Sequence, residues 1–118
     1  MHQKIIIEEE KLAGFCELLN EIKPSRIGLF TGRSSYGALS CNSDVEFILN
    51  SYKVRRFSKI SPNPLLENIQ CAQSFIENEK IDLIICIGGG SVIDTAKSAR
   101  FLSESFNTPL IAIPTTAG

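Results

Sequence analysis

Ile87-Gly88-Gly89-Gly90-Ser91-Val92-Ile93-Asp94 decides the reading of this chain. An apolar run, Leu83 to Ile87, stops at three glycines, and a helical pattern starts directly after them. Glycine has no Cβ, so such a corner can take positive φ and lets a ligand approach the main chain closely. The first N–H groups of the helix have no carbonyl partners and point at whatever sits there, which suits a phosphate or a nucleotide. Ser91 is placed to accept a hydrogen bond from the N–H three residues on, with Asp94 as the acidic partner of a capping box, so the sequence predicts a helix capped at Ser91. A tight turn that needs glycine only for its geometry is the alternative reading of the same residues.

Working outward, the chain alternates. Apolar runs at Ile27 to Phe30, Val54 to Phe57, Leu83 to Ile87 and Leu110 to Ile113 begin 27 to 29 residues apart, the spacing of successive βα units. Amphipathic stretches lie between and before them. Leu12, Phe15, Leu19 and Ile22 form an apolar stripe that ends before Pro24, and Ser43-Asp44-Val45-Glu46 reads as a capping box ahead of Ile48 and Leu49. Asn63-Pro64 supplies an N-cap and a first-turn proline ahead of Leu65, Ile69, Ala72 and Ile76. After Ser91, Ala96 and Ala99 are small enough for close packing on a sheet. Strands without clean alternation, each followed by a helix, predict an α/β fold: a parallel sheet flanked by helices on both faces, four strands long in this reading.

Composition sets the bounds. The 118 residues suffice for one modest domain, and the 43% hydrophobic and 21% charged residues are those of a globular chain rather than a disordered one. A net charge of −1 provides no basic field to recruit nucleic acid or an anionic membrane, so any anion has to be bound locally. The apolar runs are far too short to span a bilayer, and Glu8-Glu9-Glu10 directly after Ile5-Ile6-Ile7 is wrong for a signal peptide, so a cytoplasmic protein is expected. Cys16, Cys41, Cys71 and Cys86 form no C-x-x-C pair, and the single histidine is His2; neither a zinc site nor a cysteine–histidine pair can be assembled from them. The cysteines are expected to act as small apolar residues.

In a parallel sheet, ligands collect at the carboxyl ends of the strands. There the sequence puts Thr31-Gly32-Arg33-Ser34-Ser35, Ser61-Pro62-Asn63-Pro64, Gly88 to Ser91, and Pro114-Thr115-Thr116-Ala117-Gly118. Each loop alone also reads as a solvated turn, a helix entry or a strand stop. Together, glycines, hydroxyls and one guanidinium on one rim suit a nucleotide with several phosphates better than a neutral metabolite.

With these residues in place, the chain resembles the iron-containing (group III) alcohol dehydrogenases, relatives of glycerol dehydrogenase and, more distantly, of dehydroquinate synthase. The resemblance rests on Gly88-Gly89-Gly90-Ser91-Val92-Ile93-Asp94-Thr95-Ala96-Lys97, on Ile113-Pro114-Thr115-Thr116-Ala117-Gly118, and on Pro62-Asn63-Pro64. It implies a Rossmann-like N-terminal domain that binds NAD or NADP, followed by an all-helical domain whose Asp and three His hold a divalent metal, iron or zinc. The glycine run ahead of the helix suggests that Gly88, Gly89, Gly90 and Ser91 cradle a pyrophosphate; by position, Gly90 and Ser91 resemble the family's pyrophosphate binders and Asp94 the acid beside them. Asn63 resembles the family's cofactor-contacting asparagine, and Thr115 and Thr116 resemble residues lining the nucleotide.

Two departures from the family pattern bear on function. Many NAD-using members carry an Asp directly after the strand that here spans Ile27 to Phe30, where it accepts hydrogen bonds from the adenosine ribose. This chain has Gly32 there, followed by Arg33, Ser34 and Ser35. Losing an anion and gaining a guanidinium favours a 2′-phosphate, so NADP is the expected cofactor, with NAD the alternative and a solvent-facing Arg33 the plainer reading. The second departure is that the chain stops at Gly118, inside a motif that the family continues. Residues 1–118 are therefore expected to form an incomplete Rossmann-like domain, the metal domain lying outside them, with no catalytic or metal-ligating residue of their own.

The reading that follows is the N-terminal part of an NADP-dependent, metal-dependent alcohol dehydrogenase or aldehyde reductase, the 118 residues alone being inactive. A stand-alone nucleotide-binding module and a dehydroquinate-synthase-like lyase are the alternatives. A small alcohol or aldehyde is the expected partner of the full enzyme. Apolar surface left open by the missing parts points to self-association as a homo-oligomer.

Overall fold

The computed structural model describes residues 4–6, 13–32, 48–60, 66–103 and 107–114. Five strands, β1 (Lys4–Ile6), β2 (Ile27–Thr31), β3 (Val54–Phe57), β4 (Leu83–Gly88) and β5 (Leu110–Pro114), alternate with three described helices, α1 (Ala13–Ile22), α2 (Leu66–Asn78) and α3 (Gly90–Leu102). All neighbouring strands pair in parallel, in the order β1-β5-β4-β2-β3. The four anticipated strands are present, and the first of them, β2, is the second along the chain. Lys4–Ile6, unassigned in the sequence reading, adds the edge strand β1 beside β5, in register Lys4 to Leu110. Residues 48–49 are helical, which agrees with the helix expected there; its proposed cap, Ser43 to Glu46, lies outside the described residues.

The central strands β2, β4 and β5 read as unbroken apolar runs because both sheet faces are covered. On one face Phe15 and Leu19 of α1 and Leu49 pack on Ile27, Leu29, Ile85 and Ile111. On the other, Ala72 and Ile76 of α2 and Val92, Ala96 and Ala99 of α3 pack on Phe30, Ile84, Cys86 and Ala112. Small residues let the helices come close: at Gly28 an added Cβ would meet Ile81 Cγ2 at 3.0 Å and Phe75 Cε2 at 3.2 Å. Phe30, Phe57 and Phe75 form an aromatic triad with ring centroids 5.1 to 5.7 Å apart. Of the cysteines, Cys86 is buried in β4 as expected, whereas Cys16 and Cys71 are exposed on their helices instead of joining the core.

Helices end where backbone geometry stops them. Lys80 takes φ +53°, and Ile81 N–H donates back to Ile76 O at 3.0 Å, closing α2 with a left-handed residue and a six-to-one hydrogen bond. Lys23, at φ +50°, follows α1 and donates its N–H to Leu19 O at 2.9 Å. After α3, Arg100 Nε donates to Thr108 O at 2.6 Å and ties the connection to β5.

Candidate functional site

The strand pairing brings the carboxyl ends of β2, β4 and β5 level. Thr31 stands beside Ile87, Ile87 beside Ile113, and Gly88 beside Pro114. From this shared edge the chain departs in two directions. The segment after β2 leads to Leu49, which packs with α1 on one face, while the segment after β4 becomes α3 on the opposite face. Adjacent strands whose connections leave for opposite faces open a crevice between their carboxyl ends, the place where ligands of open α/β sheets bind. Gly32 and Gly88-Gly89-Gly90 stand at that point.

The three glycines divide their labour. Gly88 is buried, has φ +152°, and an added Cβ would sit 2.7 Å from Val92 Cγ2. Its lack of a side chain is a requirement of the corner itself, with Val92, only 4% exposed, wedged against it. Gly89 and Gly90 are exposed, and a Cβ added at either meets nothing within 4 Å. Nothing in the described fold demands glycine at these two positions, and open space stands over their main chain.

The helix starts earlier than the capping reading placed it. Gly89, extended at φ −84° and ψ −168°, is the N-cap, α3 begins at Gly90, and no side-chain oxygen caps it at Gly89. Ser91 lies inside the first turn, which corrects its assignment as the cap, and Asp94 is an exposed residue of the next turn. The physical reason is the permissive corner: glycines at the cap and first helical position let the backbone enter the helix two residues sooner. Ile93 N–H donates to Gly89 O at 3.2 Å, the first bond of the helix ladder. The N–H groups of Gly90, Ser91 and Val92 precede it and have no helix carbonyl to reach, so the positive end of a 13-residue helix faces the crevice.

Of the other residues expected at the rim, Gly32 is half-buried at the end of β2, beside the corner. Arg33, Ser34, Ser35, Asn63, Thr115 and Thr116 lie outside the described residues. One residue given no role in the sequence reading stands out. Thr95 is fully buried, on the helix face of Val92, Ala96 and Ala99, and its hydroxyl donates to Ser91 O at 2.7 Å. Its signal in the sequence is a hydroxyl residue at a position the helical repeat assigns to the core.

The sequence model of the iron-containing alcohol dehydrogenases matches residues 2–118. The chain belongs to this family. Among its relatives, the long-chain primary alcohol dehydrogenase AdhA of Thermoanaerobacter ethanolicus is 33% identical over 97 residues, covering 80% of this chain and 24% of that protein. The glycerol-1-phosphate dehydrogenase (NAD(P)+) of Methanospirillum hungatei is 28% identical over 115 residues, covering 96% of this chain and 30% of that protein. The crystal structure of an iron-containing alcohol dehydrogenase from Corynebacterium glutamicum superposes with a TM-score of 0.73 at 19% identity, covering 98% of this chain and 30% of its own, and supports the fold. The chain thus spans less than a third of the length of these family members.

Among the described residues, no group of three His, Cys, Asp or Glu side chains comes together to hold a metal ion. No helix among them is long and apolar enough to cross a membrane.

Proposed function

We propose that the crevice between β2 and β4 binds NAD(P), with NADP preferred, and that this chain supplies the cofactor-binding part of a metal-dependent alcohol dehydrogenase or aldehyde reductase acting in the cytoplasm. The observation that carries the reading is the open main chain of Gly89 and Gly90 at the start of α3. A pyrophosphate suits this place: two negatively charged phosphates meet first-turn N–H groups that no helix carbonyl engages, at the positive end of the helix, and neither Gly89 nor Gly90 puts a side chain in the way. Bound nicotinamide gives or takes a hydride at its C4 atom. The residues of this chain hold it. Gly89, Gly90 and Ser91 bind the pyrophosphate, with Gly88 shaping the corner and Asp94 beside it. Gly32 leaves room for the adenosine ribose, and Asn63, Thr115 and Thr116 line the nucleotide. In this reading the share of these residues is to bind and orient the cofactor, the divalent iron or zinc being held outside them, and the 118 residues alone are expected to turn over no alcohol or aldehyde. Phe101, 80% exposed on α3, together with the exposed Leu66, supports self-association of the protein.

The NADP preference rests on Arg33, with Ser34 and Ser35 as hydroxyl donors. Pairing of its guanidinium with a 2′-phosphate predicts that Arg33→Ala weakens NADPH by about 1.5–3 kcal/mol and leaves NADH nearly untouched. Fluorescence titration of the intact protein with both cofactors measures this. Equal losses would remove Arg33 from the choice of cofactor, and failure of the unaltered protein to bind either would remove the dinucleotide reading altogether.

A further inference from the structure

We propose that Thr95 is a positioning residue for the anion site: its hydroxyl aims the first-turn N–H groups of α3 into the crevice. The inference rests on the pyrophosphate reading above and adds the side chain that sets its geometry.

Thr95 is fully buried on the sheet-facing side of α3, where Val92, Ala96 and Ala99 supply only apolar atoms. A buried hydroxyl needs a partner, and Thr95 finds it one turn back, donating to Ser91 O at 2.7 Å. The helix ladder already engages that carbonyl at the Thr95 N–H, so the hydroxyl is a second donor on one oxygen. Such back-bonding brings a helix no stability and tends to bend it. Alanine would fill an interior position of this helix with better propensity and no polar atom to satisfy. What the hydroxyl does instead follows from the peptide plane. The Ser91 carbonyl and the Val92 N–H belong to one rigid unit, so a second pull on the oxygen fixes the direction of the N–H at the other end. That N–H is one of the three that precede the first helical bond, Ile93 N–H to Gly89 O. Drawing the carbonyl toward two donors also polarises the same unit and makes its N–H a better donor to an anion. Val92 is the residue wedged against Gly88, so the hydroxyl acts on the segment that forms the corner.

The test compares Thr95→Val, which keeps shape and burial but loses the hydroxyl, Thr95→Ser, which keeps the hydroxyl, and Thr95→Ala, in the intact protein. NADPH affinity is read by fluorescence titration and the unfolding midpoint by thermal melting. Thr95→Val and Thr95→Ala are expected to bind NADPH about three- to tenfold more weakly, the range of one hydrogen bond, at midpoints close to that of the unaltered protein, with Thr95→Ser restoring the affinity. Unchanged affinity in Thr95→Val or Thr95→Ala overturns the proposal. Equal weakening in Thr95→Ser also overturns it, because the effect would then be one of packing. Gly89→Val run alongside separates the two levels: normal binding there removes the pyrophosphate site itself, whereas loss of binding there with normal binding in Thr95→Val removes only the role of Thr95.

Discussion

The two edges of the sheet are built from the same strands and are finished in opposite ways. At the amino edge the chain bonds to itself. Asp82 accepts from Ser25 N–H at 2.7 Å and Arg26 N–H at 2.8 Å, one oxygen each, while its own N–H donates to Arg26 O at 3.0 Å. Arg26 Nη1 donates to Glu79 O at 3.1 Å, the Glu79 carboxylate stands 3.2 Å from Arg55 Nε, and Ile27 N–H donates to Lys53 O. At the carboxyl edge, the first-turn N–H groups of α3 have no helix carbonyl to bond, and a Cβ added at Gly89 or Gly90 meets no atom within 4 Å. An edge whose polar groups are satisfied from within needs nothing further. One where a helix begins with its positive end outward is stabilised when an anion arrives, and this difference is why the proposed site is assigned to the carboxyl edge.

The contrast predicts that variants at the amino edge change stability without changing cofactor affinity, and that variants at the carboxyl corner separate by glycine. Gly88→Ala carries the largest expected effect on folding: positive φ and a Cβ driven against Val92 cost about 1–3 kcal/mol or more in denaturant unfolding. A neutral Gly88→Ala would show that the corner is not held by Val92. Asp82→Ala follows, leaving the Ser25 and Arg26 N–H groups to water at a cost of about 1 kcal/mol, with NADPH affinity unaltered. A change in affinity there would break the division between the edges. Arg55→Gln is the smallest. Its ion pair with Glu79 joins side chains 68% and 37% exposed, so a loss below about 0.5 kcal/mol is expected, vanishing at high salt. A larger loss would mean that the Arg55–Glu79 pair is more than a solvent-screened surface contact.

What was legible in the sequence was the part governed by local pattern. The stripe of Phe15 and Leu19, the repeat of Ala72 and Ile76, and the apolar runs of β2, β4 and β5 each carry their period within a few residues, and the structure places them as read. What escaped depended on distant partners. β1 is three residues long and becomes a strand only because β5, at the far end of the chain, offers an edge to pair with. The Asp82 clamp joins residues 56 and 57 apart in sequence, so Asp82 read only as a strand boundary. Ser91 was misread for a different reason. Ser-x-x-Asp matches a capping box, and that pattern assumes a helix that satisfies its own first turn. Here glycines let the helix begin at Gly90 with no side-chain cap, and the proposed anion site rests on that helix start. The grouping of the glycines was legible, but their division into one structural and two open positions was not, because it depends on where Val92 sits.

Gly89→Val in the intact protein tests the central claim most directly. Gly89 has ordinary negative φ, and its added Cβ meets no atom within 4 Å, so the variant is expected to fold with an unfolding midpoint near that of the unaltered protein. The isopropyl group would occupy the space over the first N–H groups of α3. Calorimetric titration with NADPH is predicted to show binding abolished in a protein that still melts cooperatively. Unchanged affinity in that folded protein would contradict the account and leave the glycine run as a corner of the chain with no ligand to cradle.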